Sequence, residues 1–217
     1  MRSLFLTIAT CVLLASRGAA VPSLDVEKRQ TTSKYCSPDS NICYLEIATR
    51  GTNPVYRIAI PDGSAAPFDT LLQIISPVSL GWAGFAWGGG MTLNPLTVAW
   101  PNGNKAVVSS RWASGHTAPT TYSQATYKTL SSSKNATHWT IEVVCSGCSK
   151  WSGGQLSTSG LNTFAFAVSK TPVSQPASSS SAINYHSNFG MLPATDLSAA
   201  KVPLSVFQQY VKSAGSA

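Results

Sequence analysis

The sequence predicts an all-β chain, an antiparallel immunoglobulin-like β-sandwich with one short C-terminal helix, and three observations carry that prediction. Apolar residues alternate with polar or small ones at period 2 in segment after segment, the pattern of strands with one buried and one solvated face. Turn formers separate the segments at short intervals, as in Pro61-Asp62-Gly63 and Pro101-Asn102-Gly103-Asn104. Helical spacing recurs near the end, where Leu204, Phe207 and Val211 share a face behind Pro203.

In chain order, Met1 to Ala20 has a basic Arg2, an apolar run from Leu4 to Leu14 and a small-residue end at Gly18-Ala19-Ala20. It reads as a secretory signal peptide, too short to span as a membrane helix. Val21 to Arg29 reads as a propeptide closing on the dibasic pair Lys28-Arg29, which puts the mature start at Gln30 and the domain at residues 30–217. Losing residues 1–29 removes four of the 15 basic and two of the 8 acidic residues, leaving a net charge of +5. That charge is sparse and forms no Lys/Arg run, so a nucleic-acid stripe is not expected. No later apolar run suits a membrane span. The expectation is a secreted single-domain monomer.

Strands are expected at Cys43 to Ala48, around Tyr56, Ile58 and Ile60, at Thr70 to Ser76, Leu96 to Trp100, Ala106 to Ser110 and Thr126 to Leu130, and around Trp139, Ile141 and Val143 and Phe164, Phe166 and Val168. So many short strands mean a sandwich. Pro172 to Ser181 reads as a polar loop inside the domain. The richest stretch is Gly81 to Asn102, read as strand, tight glycine turn (Gly88-Gly89-Gly90) carrying Met91, then strand. Three glycines before a thioether suit a backbone that must approach a flat ligand closely. Met91 as a gap-filler in a core hairpin is the competing reading.

Five cysteines become four once Cys11 leaves with the signal peptide. An even count in a secreted chain suggests disulfides, and locality pairs Cys36 with Cys43 and Cys145 with Cys148. A redox or metal CxxC is the alternative for the second pair. Asn135-Ala136-Thr137 is a glycosylation sequon, with His138 beside it on a polar face. Catalytic constellations are thin: Asp39, Glu46, Asp62, Asp69, Glu142 and Asp196 form no telling pair, and no G-x-S-x-G elbow, phosphate loop or H-E-x-x-H occurs. His186 sits in the aromatic and small-residue run Ile183 to Gly190, 95 residues beyond Met91, so spacing alone does not join the two.

Several blocks in order carry a resemblance. Gly88-Gly89-Gly90-Met91-Thr92, then Pro95-Leu96-Thr97-Val98-Ala99-Trp100-Pro101-Asn102-Gly103-Asn104 and Val108-Ser109-Ser110-Arg111-Trp112-Ala113, are followed by Thr137-His138-Trp139, by Cys145-Ser146-Gly147-Cys148 with Trp151, and by His186-Ser187-Asn188-Phe189-Gly190. From about Tyr35 to Val211 the chain resembles the cytochrome domain of fungal cellobiose dehydrogenases. The resemblance implies a non-covalent haem b in the sandwich, with Met91 and His186 as axial ligands of its iron. It also implies Trp82, Phe85 and Trp87 as walls, the glycines as clearance for the haem face, and Arg111 as a contact to a propionate or a partner carboxylate. His116 stands where the family carries a propionate-binding tyrosine and would bring a titratable group to the haem edge. Met191 stands where an aromatic is usual and is expected to pack.

By the same resemblance the protein is an extracellular single-electron carrier. The implied acceptor is a copper-dependent lytic polysaccharide monooxygenase, with ferric iron or quinones as looser possibilities. The implied donor is a separate flavoprotein, a small reductant or a phenol. No G-x-G-x-x-G fingerprint occurs and the sequence stops at Ala217, so a free-standing cytochrome without its own dehydrogenase is expected. Two alternatives stay open: a haem-free carbohydrate-binding sandwich using exposed tryptophans, or a ferric iron reductase.

Overall fold

The computed structural model describes residues 31–51 and 53–214, so the signal peptide, the Lys28-Arg29 site and Gln30 lie outside the described residues. In order the chain forms β1 (Thr31–Cys36), β2 (Cys43–Ala48), β3 (Val55–Pro61), β4 (Thr70–Pro77), β5 (Trp82–Ala86), β6 (Leu96–Asn102), β7 (Lys105–Trp112), β8 (Thr120–Thr121), β9 (Thr126–Lys134) and β10 (His138–Ser146). Then come β11 (Lys150–Trp151), β12 (Gly154–Gln155), β13 (Leu161–Asn162), β14 (Ala165–Ser169), β15 (Asn188–Met191), β16 (Thr195–Asp196), a 3-10 turn over Leu197–Ala200, β17 (Lys201–Val202) and α1 (Leu204–Ser213).

Two large sheets result. The first runs β1-β2-β3-β4-β10-β9, with β17 added in parallel beside β3, and the second runs β15-β14-β5-β6-β7-β8. Apart from that parallel pair the ladders are antiparallel. The expected strands are all present, because the period-2 residues of each face the same layer. Ile58, Ile74, Ile141 and Val143 from the first sheet meet Ala83, Phe85, Ala99, Phe166 and Val168 from the second. An aromatic cluster of Tyr56, Phe85, Trp87 and Phe164, with ring centroids 4.9 to 6.1 Å apart, fills the middle. β1 has no apolar alternation, and its pairing with β2 places Cys36 opposite Cys43. Both expected disulfides form, and the Cys145–Cys148 pair is thereby a buried cystine.

The outer face of the first sheet is covered by α1. Phe207 docks on Ile42, Tyr44, Ala59, Leu71, Val144 and Val202, flanked by Val206, Tyr210 and Val211. Leu204, expected on that face, is exposed instead, since the helix beds on Phe207 and the turn that follows it. Docking also changes one strand reading. Glu142 shares the outward face with His138 and Thr140 but is buried under α1, where it accepts hydrogen bonds from the Tyr44 hydroxyl, from Tyr210 Oη at 3.0 Å and from Ser131 Oγ at 3.3 Å. Burial, and then the adjacent Glu142 carboxylate, push both phenols above their ordinary range.

Candidate functional site

Among the described residues no helix covers the outer face of the second sheet, and the composition of that face follows from strand parity. Along β5, Trp82, Gly84 and Ala86 point outward while Ala83, Phe85 and Trp87 point into the core. Their cross-strand partners are Val98 and Leu96 on β6, and Ala167 and Ala165 on β14. The centre of this face is therefore a floor of small side chains: Gly84, Ala86, Ala165 and Ala167. Around it Tyr185, Phe189 and Met191 stand 83, 67 and 53% exposed.

Met91 reaches this floor from one end. The connection from β5 to β6 spans nine residues, Trp87 to Pro95, and is braced from inside by Asn94, which is 3% exposed. Asn94 Oδ1 accepts from Gly88 N at 2.8 Å, and its Nδ2 donates to Gly90 O and to Thr92 O, both at 2.9 Å. Leu93 takes the left-handed conformation, φ 59°, and its N–H donates to Ala113 O at 2.9 Å. So held, Met91 packs half-buried against Ala86, Leu96 and Ala113, as does Ala165.

The glycines serve this brace more than an open face. A Cβ on Gly88 would come within 2.7 Å of Asn94 and 3.1 Å of Trp151, and one on Gly89, at φ +81°, within 2.7 Å of Thr163. Only Gly90 borders open space.

His186 arrives from the other side, at the end of the Pro172 to Ser181 segment. That segment is no idle loop. Val173 is buried against Trp82, Val98 and Trp100, and Trp100 Nε1 donates to Pro176 O at 2.9 Å. Ser109 Oγ donates to Ser179 O at 2.6 Å, and Arg111 Nη2 donates to Ser181 O at 2.5 Å. The chain then rejoins the sheet where Ser187 N donates to Val168 O at 2.7 Å. Between those anchors the half-buried imidazole lies against Tyr185 and Phe189, centroids 4.2 and 4.6 Å away. Phe189 sits opposite Ala167, and Met191 opposite Ala165. Met91 thus packs in the same cluster as Ala165, and the His186 ring lies against Phe189, the partner of Ala167; Ala165 and Ala167 are same-face neighbours on β14, about 6.5 Å apart along the strand.

Of the other expected site residues, some share this face and some do not. Phe85 and Trp87 lie in the inter-sheet core, and Trp87 spends its indole N–H on Thr97 Oγ1 at 2.8 Å. A strand cannot turn them to the face that Trp82 shares with the floor. Trp82 does lie on that face, and its buried Nε1 has no hydrogen-bond partner among the described residues. Arg111 is neither at a strand edge nor open to a carboxylate: it is 4% exposed and bonded to Ser109 and to carbonyls, and burial lowers its pKa from the ordinary guanidinium value. His116 is exposed on the 113–119 loop. Met191 is exposed where packing was expected, because β15 is an edge strand with nothing beyond it. Asn135 is exposed in the β9–β10 turn, its Oδ1 accepting from Thr137 N and His138 N. Of the six tryptophans, Trp82, Trp87, Trp100 and Trp139 are buried and Trp112 and Trp151 half-buried, so the carbohydrate-module alternative loses its exposed platforms. No helix among the described residues is long and apolar enough to cross a membrane.

Comparison with known proteins agrees with this architecture. The family described as the cytochrome domain of cellobiose dehydrogenase matches residues 35–204. The pyrroloquinoline quinone-dependent pyranose dehydrogenase of Coprinopsis cinerea is 35% identical over 130 residues, which cover 58% of this chain and 18% of that protein. The chain therefore spans less than a fifth of that relative. Among solved structures, the cytochrome b domain of Coprinopsis cinerea pyranose dehydrogenase superposes with a TM-score of 0.77 at 25% identity, covering 86% of this chain and 97% of that one. The cytochrome domain of Myriococcum thermophilum cellobiose dehydrogenase gives 0.72 at 22% identity, covering 84% and 96%, a likeness of fold. With a matched region that takes in the Met91 turn, the Pro172 to Ser181 strap and the His186 loop, the chain belongs to the family of the cytochrome domain of cellobiose dehydrogenase.

Proposed function

We propose that this chain is an extracellular b-type cytochrome that passes single electrons, with Met91 and His186 as the axial ligands of its haem iron. One arrangement supports the reading: a thioether and an imidazole, on two separately braced loops, border the outer sheet face whose centre carries only the small residues Gly84, Ala86, Ala165 and Ala167. A flat macrocycle needs such a floor, since any larger side chain would hold it off the sheet. The unused N–H of Trp82 supplies a spare donor on that face. The residues present therefore fit the group.

When bound, haem b supplies a one-electron iron couple. Met91 and His186 would hold the group between them and leave its iron no site for oxygen or substrate. The thioether favours the reduced form and raises the potential. Tyr185, Phe189 and Met191 make an apolar rim that limits water and offers a partner a short approach. The acceptor is proposed to be a copper-dependent lytic polysaccharide monooxygenase, or ferric iron or a quinone, and the donor a separate flavoprotein or small reductant. Secretion and a glycan on Asn135 belong to the same proposal. His116 is proposed as the propionate contact that makes the potential pH-dependent, so a redox titration between about pH 5 and 8 should differ between wild type and His116→Phe, and identical curves reject that role.

Haem titration into purified protein is the test. Wild type should give a Soret band and a low-spin six-coordinate spectrum, while Met91→Ala and His186→Ala should each lose six-coordination. A wild type that takes up no haem, or either variant with an unchanged low-spin spectrum, rules the assignment out.

A further inference from the structure

We infer that Arg111 is a positioning residue for His186, holding the Pro172 to Ser181 strap by its carbonyls so that the imidazole is presented to the open face. This rests on the cytochrome reading above and gives Arg111 a role other than binding an acid.

Arg111 lies on the outward face of β7 opposite Leu96, at the edge of the floor. Four of its five N–H donors are engaged. Nη2 donates to Ser181 O at 2.5 Å and to Ser179 O at 3.2 Å, Nε donates to Ser109 Oγ at 2.6 Å, and Nη1 donates to Pro119 O at 3.5 Å. Ser109 Oγ in turn donates to Ser179 O at 2.6 Å, so cation and hydroxyl form one chain of bonds into the strap. A planar guanidinium can meet several carbonyls in fixed directions, whereas an ammonium offers one mobile point of charge.

The strap is also closed on itself, with Gln175 N donating to Ser181 Oγ at 3.0 Å and Asn184 Nδ2 to Pro172 O at 3.0 Å. Ser181 opens, and Ser187, tied to Val168 O, closes the five-residue span that carries His186, whose middle is held by Asn184 on Pro172 O and by Ile183 packed on the Val173 cluster. Releasing Ser181 removes one of the holds that orient the ring, leaving those at Ile183, Asn184 and Ser187. A buried charge is costly unless hydrogen-bonded, and here the strap carbonyls meet that requirement. The dependence is mutual: the cation needs the strap in place, and the strap needs the cation.

The test compares full-length wild type, Arg111→Gln and Arg111→Lys, without and with haem. In haem-free protein, amide exchange in residues 172–187 should speed up by about tenfold or more in Arg111→Gln, as expected when one charge-assisted hydrogen bond's worth of ordering is lost, with β10 unchanged. After haem addition that variant should show a five-coordinate fraction that millimolar imidazole converts back to six-coordinate, the added ligand standing in for a misplaced His186. Arg111→Lys should fall between. Wild-type exchange in the strap, or a five-coordinate fraction that imidazole does not convert, overturns the inference. If Arg111→Gln does not fold, Ser109→Ala and Trp100→Phe, which remove the donors to Ser179 O and Pro176 O, should loosen residues 172–187, and unchanged exchange in both overturns it. A wild type that gives no low-spin haem spectrum sinks the cytochrome reading instead, while the exchange comparison still decides whether Arg111 orders the His186 segment.

Discussion

Asn94→Ala is the most direct probe of how the Met91 turn is held. The side chain makes three hydrogen bonds, at 2.8, 2.9 and 2.9 Å, to the backbone of Gly88, Gly90 and Thr92. At about 1 kcal/mol net each, their sum is about 3 kcal/mol. Gly88 is exposed and Gly90 and Thr92 are half-buried, so the released backbone groups recover part of that from water and the expected loss is about 2 kcal/mol. For a domain of this size that corresponds to a melting point lower by about 4–8 °C. Asn94→Asp should be no better, because it keeps the acceptor for Gly88 N–H but turns an oxygen towards two carbonyls. Thermal unfolding followed by circular dichroism reads the first effect. Haem titration reads the second: a turn that no longer fixes Met91 should yield a partly five-coordinate spectrum from a folded protein. An Asn94→Ala variant that melts within about 1 °C of wild type and stays wholly low-spin would refute the bracing argument.

Two further outcomes are expected. Ala165 is half-buried on the floor between the two loops, so Ala165→Phe should leave the melting point within about 4 °C of wild type while weakening haem uptake at least tenfold; tight uptake by the folded variant would show that the group does not lie there. Tyr44, Tyr56, Tyr127 and Tyr210 have phenol pKa values raised first of all by burial, so folding favours their neutral forms. Unfolded phenols ionise near about pH 10; the stability these four contribute is complete below that pH and falls as pH rises beyond it. Alkaline titration of phenolate absorbance should therefore leave four of the seven tyrosines neutral until the chain unfolds, and seven ionising together in a folded protein would contradict it.

Much of the fold was legible because period-2 patterning states which side chains share a face. Tyr56, Ile58 and Ile60, or Trp139, Ile141 and Val143, could only be strands buried on one side, and both triplets line the inter-sheet core. The same parity separates Phe85 and Trp87 from Trp82, so that the three do not share one face was readable from odd and even positions alone. β1 was not readable, since its residues are held by pairing with β2 rather than by burying an apolar face. The C-terminal helix was visible, but the burial of Glu142 beneath it was not, because strand periodicity assigns a face without saying what covers it.

The sequence by itself determined the sandwich, the local cystine pairs, the family and the two side chains, Met91 and His186, on which the functional proposal turns. Tertiary structure decided what holds them. Asn94 carries no sequence signal as a brace, since its three partners are backbone groups that exist at every residue. Arg111 reads as a contact for a propionate or a partner carboxylate until the Ser179 and Ser181 carbonyls, 68 and 70 residues later, close over it. The physical reason is the same in both cases: composition and spacing report side chains, whereas these loops are fixed by hydrogen bonds to main-chain atoms, whose positions only the folded chain supplies.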